Sequence, residues 1–207
     1  MSDVGDEPEG ADITALILTD HDAFRRGFAA LDIAQSRDAD PATLEARLSE
    51  IWGPLADRLD VHAIAEERIF YPALLVEGVP GEATDETLDA IGDHNQIRDG
   101  IHAAARHRPG STGWWTAVNQ ARAANTEHMA EEEDQGLADF RRNSTAAERA
   151  ELGRRFAEFK AAHTARDLDT SDQDPERYVA EHRPGAPDVS LQIGSLRAEP
   201  RAKATQP

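Results

Sequence analysis

Apolar residues fall at helical spacing along most of the chain. Ile13, Leu16, Ile17, Phe24, Phe28 and Leu31 mark one face of a first helix. Asp40 followed by Pro41 supplies an N-cap and a proline at the first helical position, opening a second helix through Leu44, Leu48, Ile51, Leu55, Leu59 and Ile69. This helix is expected to end near Pro72 to Val76, with a kink at Gly53-Pro54. After the turn EGVPGEAT a third helix is predicted from about Asp85 to Arg106, through Leu88, Ile91, Ile97 and Ile101. HRPGSTG interrupts the pattern, a fourth helix follows from about Trp114 to Phe140, and Thr145 with Glu148 forms a capping box for a fifth, to about Ala165.

Strand-like alternation is essentially absent, and short breaks between amphipathic helices favour antiparallel neighbours. The expected fold is all-α: an up-down-up-down four-helix bundle over residues 12–142 and an additional C-terminal helix over 143–167. A flexible acidic leader, 1–11, precedes it, and a mostly irregular tail, 168–207, rich in Pro, Gly and charge, follows.

Composition narrows the function. A chain of 207 residues with 39% hydrophobic content can bury a core. Its net charge of -18 argues against nucleic acid and anionic membrane surfaces as partners. There is no cysteine, which excludes disulfides, thiolate metal sites and cysteine nucleophiles. The run ALIL is far too short to span a bilayer and the acidic start lacks an apolar signal region, so a cytoplasmic location is expected.

Two phrases recur. DHDAFR at 20–25 on helix one returns as DHNQIR at 93–98 on helix three; HAIAEE at 62–67 on helix two returns as HMAEEE at 128–133 on helix four. The chain thus reads as two helical hairpins, each with a lone histidine on its first helix and an H-x-x-x-E pair on its second. The candidate metal ligands are His21, His62 and Glu66 from one hairpin and His94, His128 and Glu132 from the other. Residues four apart lie one turn apart on the same helix face, roughly 6 Å along the axis, so each His/Glu pair can converge on one point. His21 sits on the stripe of Ile17, Leu18, Phe24 and Phe28, and His94 on that of Ala90, Ile91, Ile97 and Ile101.

Taken singly these elements are ordinary. One H-x-x-x-E pair is commonly an exposed contact worth ~0.2–0.5 kcal/mol, and a lone histidine on an apolar face is commonly a satisfied core residue. Recurrence in the same order is what a cation site accounts for, since buried carboxylates without partners cost several kcal/mol. Nitrogen and oxygen donors without sulfur suit iron, manganese or zinc, and the number of ligands suits two ions. Neither Glu-x-x-His nor H-E-x-x-H occurs, which separates the set from ferritin-like and zinc-protease patterns.

Over roughly residues 11 to 142 this arrangement resembles the hemerythrin-like proteins with the HHE cation-binding domain. The resemblance implies a four-helix bundle around two Fe ions, a non-haem di-iron centre with an oxo or hydroxo bridge. His21 and His62 would ligate one iron, His94 and His128 the other, and Glu66 and Glu132 would bridge them. Oxygen-carrying hemerythrins have a further histidine one turn after the third-helix histidine; here that place is Arg98. The missing ligand points away from simple oxygen carriage and towards dioxygen, peroxide or nitric oxide as small-molecule partner, including a catalase-like di-iron oxidoreductase.

Glu67, Glu131, Glu133 and Tyr71 lie beside this set as alternative donors or solvated groups; Asp20, Asp93, Arg25 and Arg98 read as supporting or surface groups. His102, His107, His163 and His182 lack the repeat and fit surface or helix-end positions, and Trp114 and Trp115 fit packing. Two other readings stay open. One is an iron- or oxygen-responsive module whose centre is structural, with helix five or the tail, including DVSLQIGSL, serving a homodimer or protein partner. The other is a metal-free interaction bundle.

Overall fold

A computed structural model describes residues 11–36 and 39–185. The chain order is α1 (Ile13–Gln35), α2 (Pro41–Ala65), a π-helical turn (Glu66–Phe70), α3 (Tyr71–Glu77), α4 (Pro80–Ala104), α5 (Thr112–Asp134), α6 (Gly136–Asn143), α7 (Ala146–Ala162) and α8 (Pro175–His182). The described residues contain no strand, and none of their helices is long and apolar enough to cross a membrane.

The bundle consists of α1, α2 with its continuation through α3, α4, and α5 with α6. Caps set several starts: Asp12 accepts from Thr14 N at 2.9 Å and Asp40 accepts from Ala42 N and Thr43 N. Pro54 leaves α2 unbroken, because it lies on the exposed face where the freed Glu50 carbonyl can reach water. The second element therefore runs on helically to Glu77, through a turn that is π-helical rather than α-helical.

Two boundaries differ from the sequence expectation. The third bundle helix begins at Pro80, not near Asp85, because Pro80 is a good first-turn residue and Asp139 of α6 accepts the Val79 N–H at 2.9 Å. The fourth stops at Asp134 and restarts at Gly136, where a Cβ would meet Glu86 Oε1 at 2.8 Å. The restart carries Phe140 into the core, 5.4 Å from the Phe70 ring.

The core has two apolar layers. One gathers Phe24, Phe28, Trp52, Leu59, Ile97 and Trp114; the other gathers Ile13, Ile17, Phe70, Leu74, Ile91 and Phe140. His21 falls between Ile17 and Phe24, and His94 between Ile91 and Ile97, so the polar belt lies between the layers. The fifth helix, α7, begins with the expected Thr145/Glu148 capping box and packs on α1 and α2. Within the expected irregular tail, Pro175–His182 is helical and packs on α4, with Tyr178 and Val179 buried. Most of the acidic leader and the segment DVSLQIGSL lie outside the described residues.

Candidate metal centre

Four bundle helices each bring a histidine to the belt between the apolar layers, and all four are buried. Ligand atoms of His21, His62 and Glu66 lie within 4.8 Å of one another, and so do those of Glu66, His94 and His128. Glu66 stands between the two pairs, with Oε1 2.8 Å from His62 Nε2 and Oε2 3.3 Å from His94 Nε2. Glu132 directs Oε2 to within 3.3 Å of His21 Nε2, while its Oε1 accepts a hydrogen bond from Tyr71 at 2.8 Å. Glu132 thus reaches the His21 side and lies outside both three-ligand groups.

His21 Nε2, His62 Nε2, both Glu66 carboxylate oxygens and Glu132 Oε2 are buried with no hydrogen-bond partner. His62 and Glu66 face each other closely without hydrogen-bond alignment. Buried polar atoms are nearly always satisfied, so such a convergence calls for a partner outside the chain. Nitrogen and carboxylate donors together fit cations of the iron, manganese or zinc type.

An outer layer of carboxylates fixes the imidazoles from behind. Asp20 lies 3.0 Å from His62 Nδ1, Glu67 2.9 Å from His94 Nδ1 and Glu133 2.8 Å from His21 Nδ1. Each can accept the Nδ1 proton and leave Nε2 as the inward donor. The repeat explains the arrangement. In each H-x-x-x-E-E phrase the first glutamate points inward and the second crosses to the other hairpin. There it meets a histidine and the arginine four residues later: Glu133 takes His21 and Arg25, and Glu67 takes His94 and Arg98. Arg98, 1% exposed, thereby secures the carboxylate behind His94.

Electrostatics follow from this packing. Burial alone would lower the His62 pKa, but Glu66 and Asp20 outweigh it and push His62 up to about 9. Burial would raise Glu66, yet the imidazoles of His62, His128 and His94 hold it well below the usual carboxylate range. Burial and the neighbouring Glu132 charge push Glu86 up to about 7, and burial pushes Asp60 up to about 6 against the pull of Arg98. Tyr71 is raised well above 10 by burial and Glu132, so it stays a neutral donor.

The π-helical turn places Tyr71. Its N–H bonds the Glu66 carbonyl five residues back, giving this turn one residue more than an α-helical turn. In a regular α-helix residues five apart point about 140° from one another. The wide turn instead lets both Glu66 and Tyr71 be fully buried.

Sequence spacing does not reveal the contributions of the C-terminal segment. Lys160 pairs with Asp20, Gln173 Nε2 bonds the Glu67 carboxylate, Tyr178 donates to the Glu67 carbonyl, and Phe156 meets the His62 ring edge-on at 5.8 Å. Each joins residues more than ninety positions apart, where helical periodicity carries no signal. Among the remaining histidines, His102 and His107 are exposed, and His163 and His182 bond carbonyls of their own helices. Trp114 packs against Trp52 in the core.

A model of the Hemerythrin HHE cation binding domain matches residues 12–140. No curated protein and no solved structure matches the chain.

Proposed function

Since the chain belongs to the hemerythrin HHE cation-binding family, we propose that its buried His/Glu belt holds two iron ions and handles dioxygen, peroxide or nitric oxide. The observation that carries this reading is the set of buried, partnerless ligand atoms on His21, His62, Glu66 and Glu132. His21 and His62 would hold one ion and His94 and His128 the other. Glu66, with one oxygen near each pair, is the natural bridge, and Glu132 supplies an oxygen on the His21 side. Such ions supply redox electrons and Lewis acidity when bound.

The protein side of the chemistry is positional. Asp20, Glu67 and Glu133 set the imidazole tautomers, and Tyr71 holds one Glu132 oxygen so that the other faces inward. The apolar layers exclude bulk water. A cleft of about 520 Å³ reaches Glu67 and one of about 140 Å³ reaches Asp20, but neither is lined by an inner ligand. Reactants of two to four atoms suit so closed a centre.

The test is spectroscopic. Anaerobic protein loaded with Fe(II) is exposed in turn to dioxygen, peroxide and nitric oxide. The reading predicts a new near-ultraviolet or visible band with at least one of them, lost in Glu66→Ala. Unchanged spectra with all three reagents would remove the gas and peroxide function while leaving a structural iron site in place.

A further inference from the structure

The family match ends at residue 140, yet the outer layer of the centre does not. Two of the carboxylates behind the histidines are gripped by residues that follow it. Lys160 of α7 pairs with Asp20, which lies behind His62. Gln173 and Tyr178 bind the side chain and backbone carbonyl of Glu67, which lies behind His94. One histidine from each hairpin is therefore indirectly held by the C-terminal segment.

The segment is also docked where the repeat diverges. DHDAFR has Asp22, which pairs with Arg25 at the surface. DHNQIR has Asn95 instead, and it exchanges two hydrogen bonds with the Gln173 backbone, donating to its carbonyl at 2.7 Å and accepting from its N–H at 3.0 Å. An aspartate here could accept from that N–H but could not donate to the carbonyl. Asp57 of α2 accepts the Ala165 N–H at 2.8 Å, anchoring the connection between α7 and α8. Beneath α8 the Tyr178 side chain is 4% exposed.

We propose that residues 160–178 form an outer clamp of the metal centre, in which Lys160, Gln173 and Tyr178 are positioning residues that govern metal retention. The inference rests on the reading of the belt as a metal site. Outer partners of metal-ligating histidines typically contribute 10–100-fold to affinity. Coupling between two events is reciprocal, so a clamp that tightens metal binding must itself be tightened by metal. Docking of α8 then reports occupancy of the belt, which gives the protein a means of displaying its metal state on its surface.

The experiment uses the full chain loaded with Co(II), whose ligand-field bands report ligand geometry. Wild type is compared with Gln173→Leu, Tyr178→Phe, Lys160→Met and Lys160→Arg. Expected are about tenfold faster Co(II) loss to a chelator and shifted bands in Gln173→Leu, Tyr178→Phe and Lys160→Met, recovery in Lys160→Arg, and an unchanged melting temperature of the metal-free proteins. Amide exchange over 168–182 should slow when wild type takes up Co(II). The proposal is overturned if Gln173→Leu, Tyr178→Phe and Lys160→Met retain Co(II) with wild-type rates and bands, or if exchange in α8 ignores the metal. If a variant melts lower without metal, the exchange difference in wild type alone decides. A wild-type chain that binds no Co(II) would instead overturn the underlying metal reading.

Discussion

Single residues here have meanings that their type alone does not supply. Glu66 and Glu67 are adjacent and both buried, yet one faces the belt and the other lies behind His94. His62 offers the clearest consequence. Its imidazole is pushed up to about 9, against about 6.5 in an unfolded chain, so the metal-free protein carries a proton there at neutral pH. This proton stabilises the metal-free fold fully below about pH 6.5, and the stabilisation is lost as pH rises through about 9. A metal ion must displace the proton. Affinity for Co(II) or Zn(II) should therefore rise with pH up to about 9 and level off above it. Titrations at several pH values between roughly 6 and 9 check this; a flat profile would contradict a His62 proton that the metal displaces.

At the scale of elements, the informative feature is the π-helical turn Glu66–Phe70. Deleting one residue from a helix ordinarily rotates everything beyond it by about 100° and wrecks the packing. In a wide turn the deletion restores an α-turn and leaves the following helix near its original phase. Arg68 is the exposed residue of this turn. Deleting Arg68 should leave the melting temperature within a few degrees of wild type, whereas deleting Arg58, exposed in the regular part of α2, should lower it sharply. Thermal unfolding followed by circular dichroism separates the two, and equal damage from both deletions would contradict the argument.

The same element shows what sequence could convey. Apolar periodicity, the caps at Asp40 and Thr145 and the doubled His/Glu phrases are local signals, and they place the helices and bring the ligand candidates together. The π turn leaves no such mark, since EERIF continues an apolar helix face without interruption. The early start at Pro80 depends on Asp139 from another helix, and the break at Gln135 on close packing of Gly136 with Glu86. Arg98 was visible as a departure from the oxygen-carrier pattern; its partner Glu67, thirty-one positions away, was legible only in three dimensions.

In the whole molecule, two hairpins enclose one belt and exchange their second glutamates, and a C-terminal segment reaches the layer behind it. Glu66, Glu67 and Glu133 each reach from one hairpin to a histidine of the other, so cations in the belt should stabilise the assembled bundle. Metal at about 100 times its dissociation constant would add ~2.7 kcal/mol through binding to the folded state alone. A clear rise in melting temperature on adding metal, reversed by a chelator and smaller in His62→Ala, is the expected behaviour.

The central claim is that the belt is a two-ion site divided between the hairpins. Its most direct test is metal stoichiometry, measured by elemental analysis after anaerobic Fe(II) loading and desalting of wild type, His62→Ala and His94→Ala. The account predicts about two ions per chain in wild type and about one in each variant. A wild-type chain that retains no metal, or variants that retain as much as wild type, would contradict it.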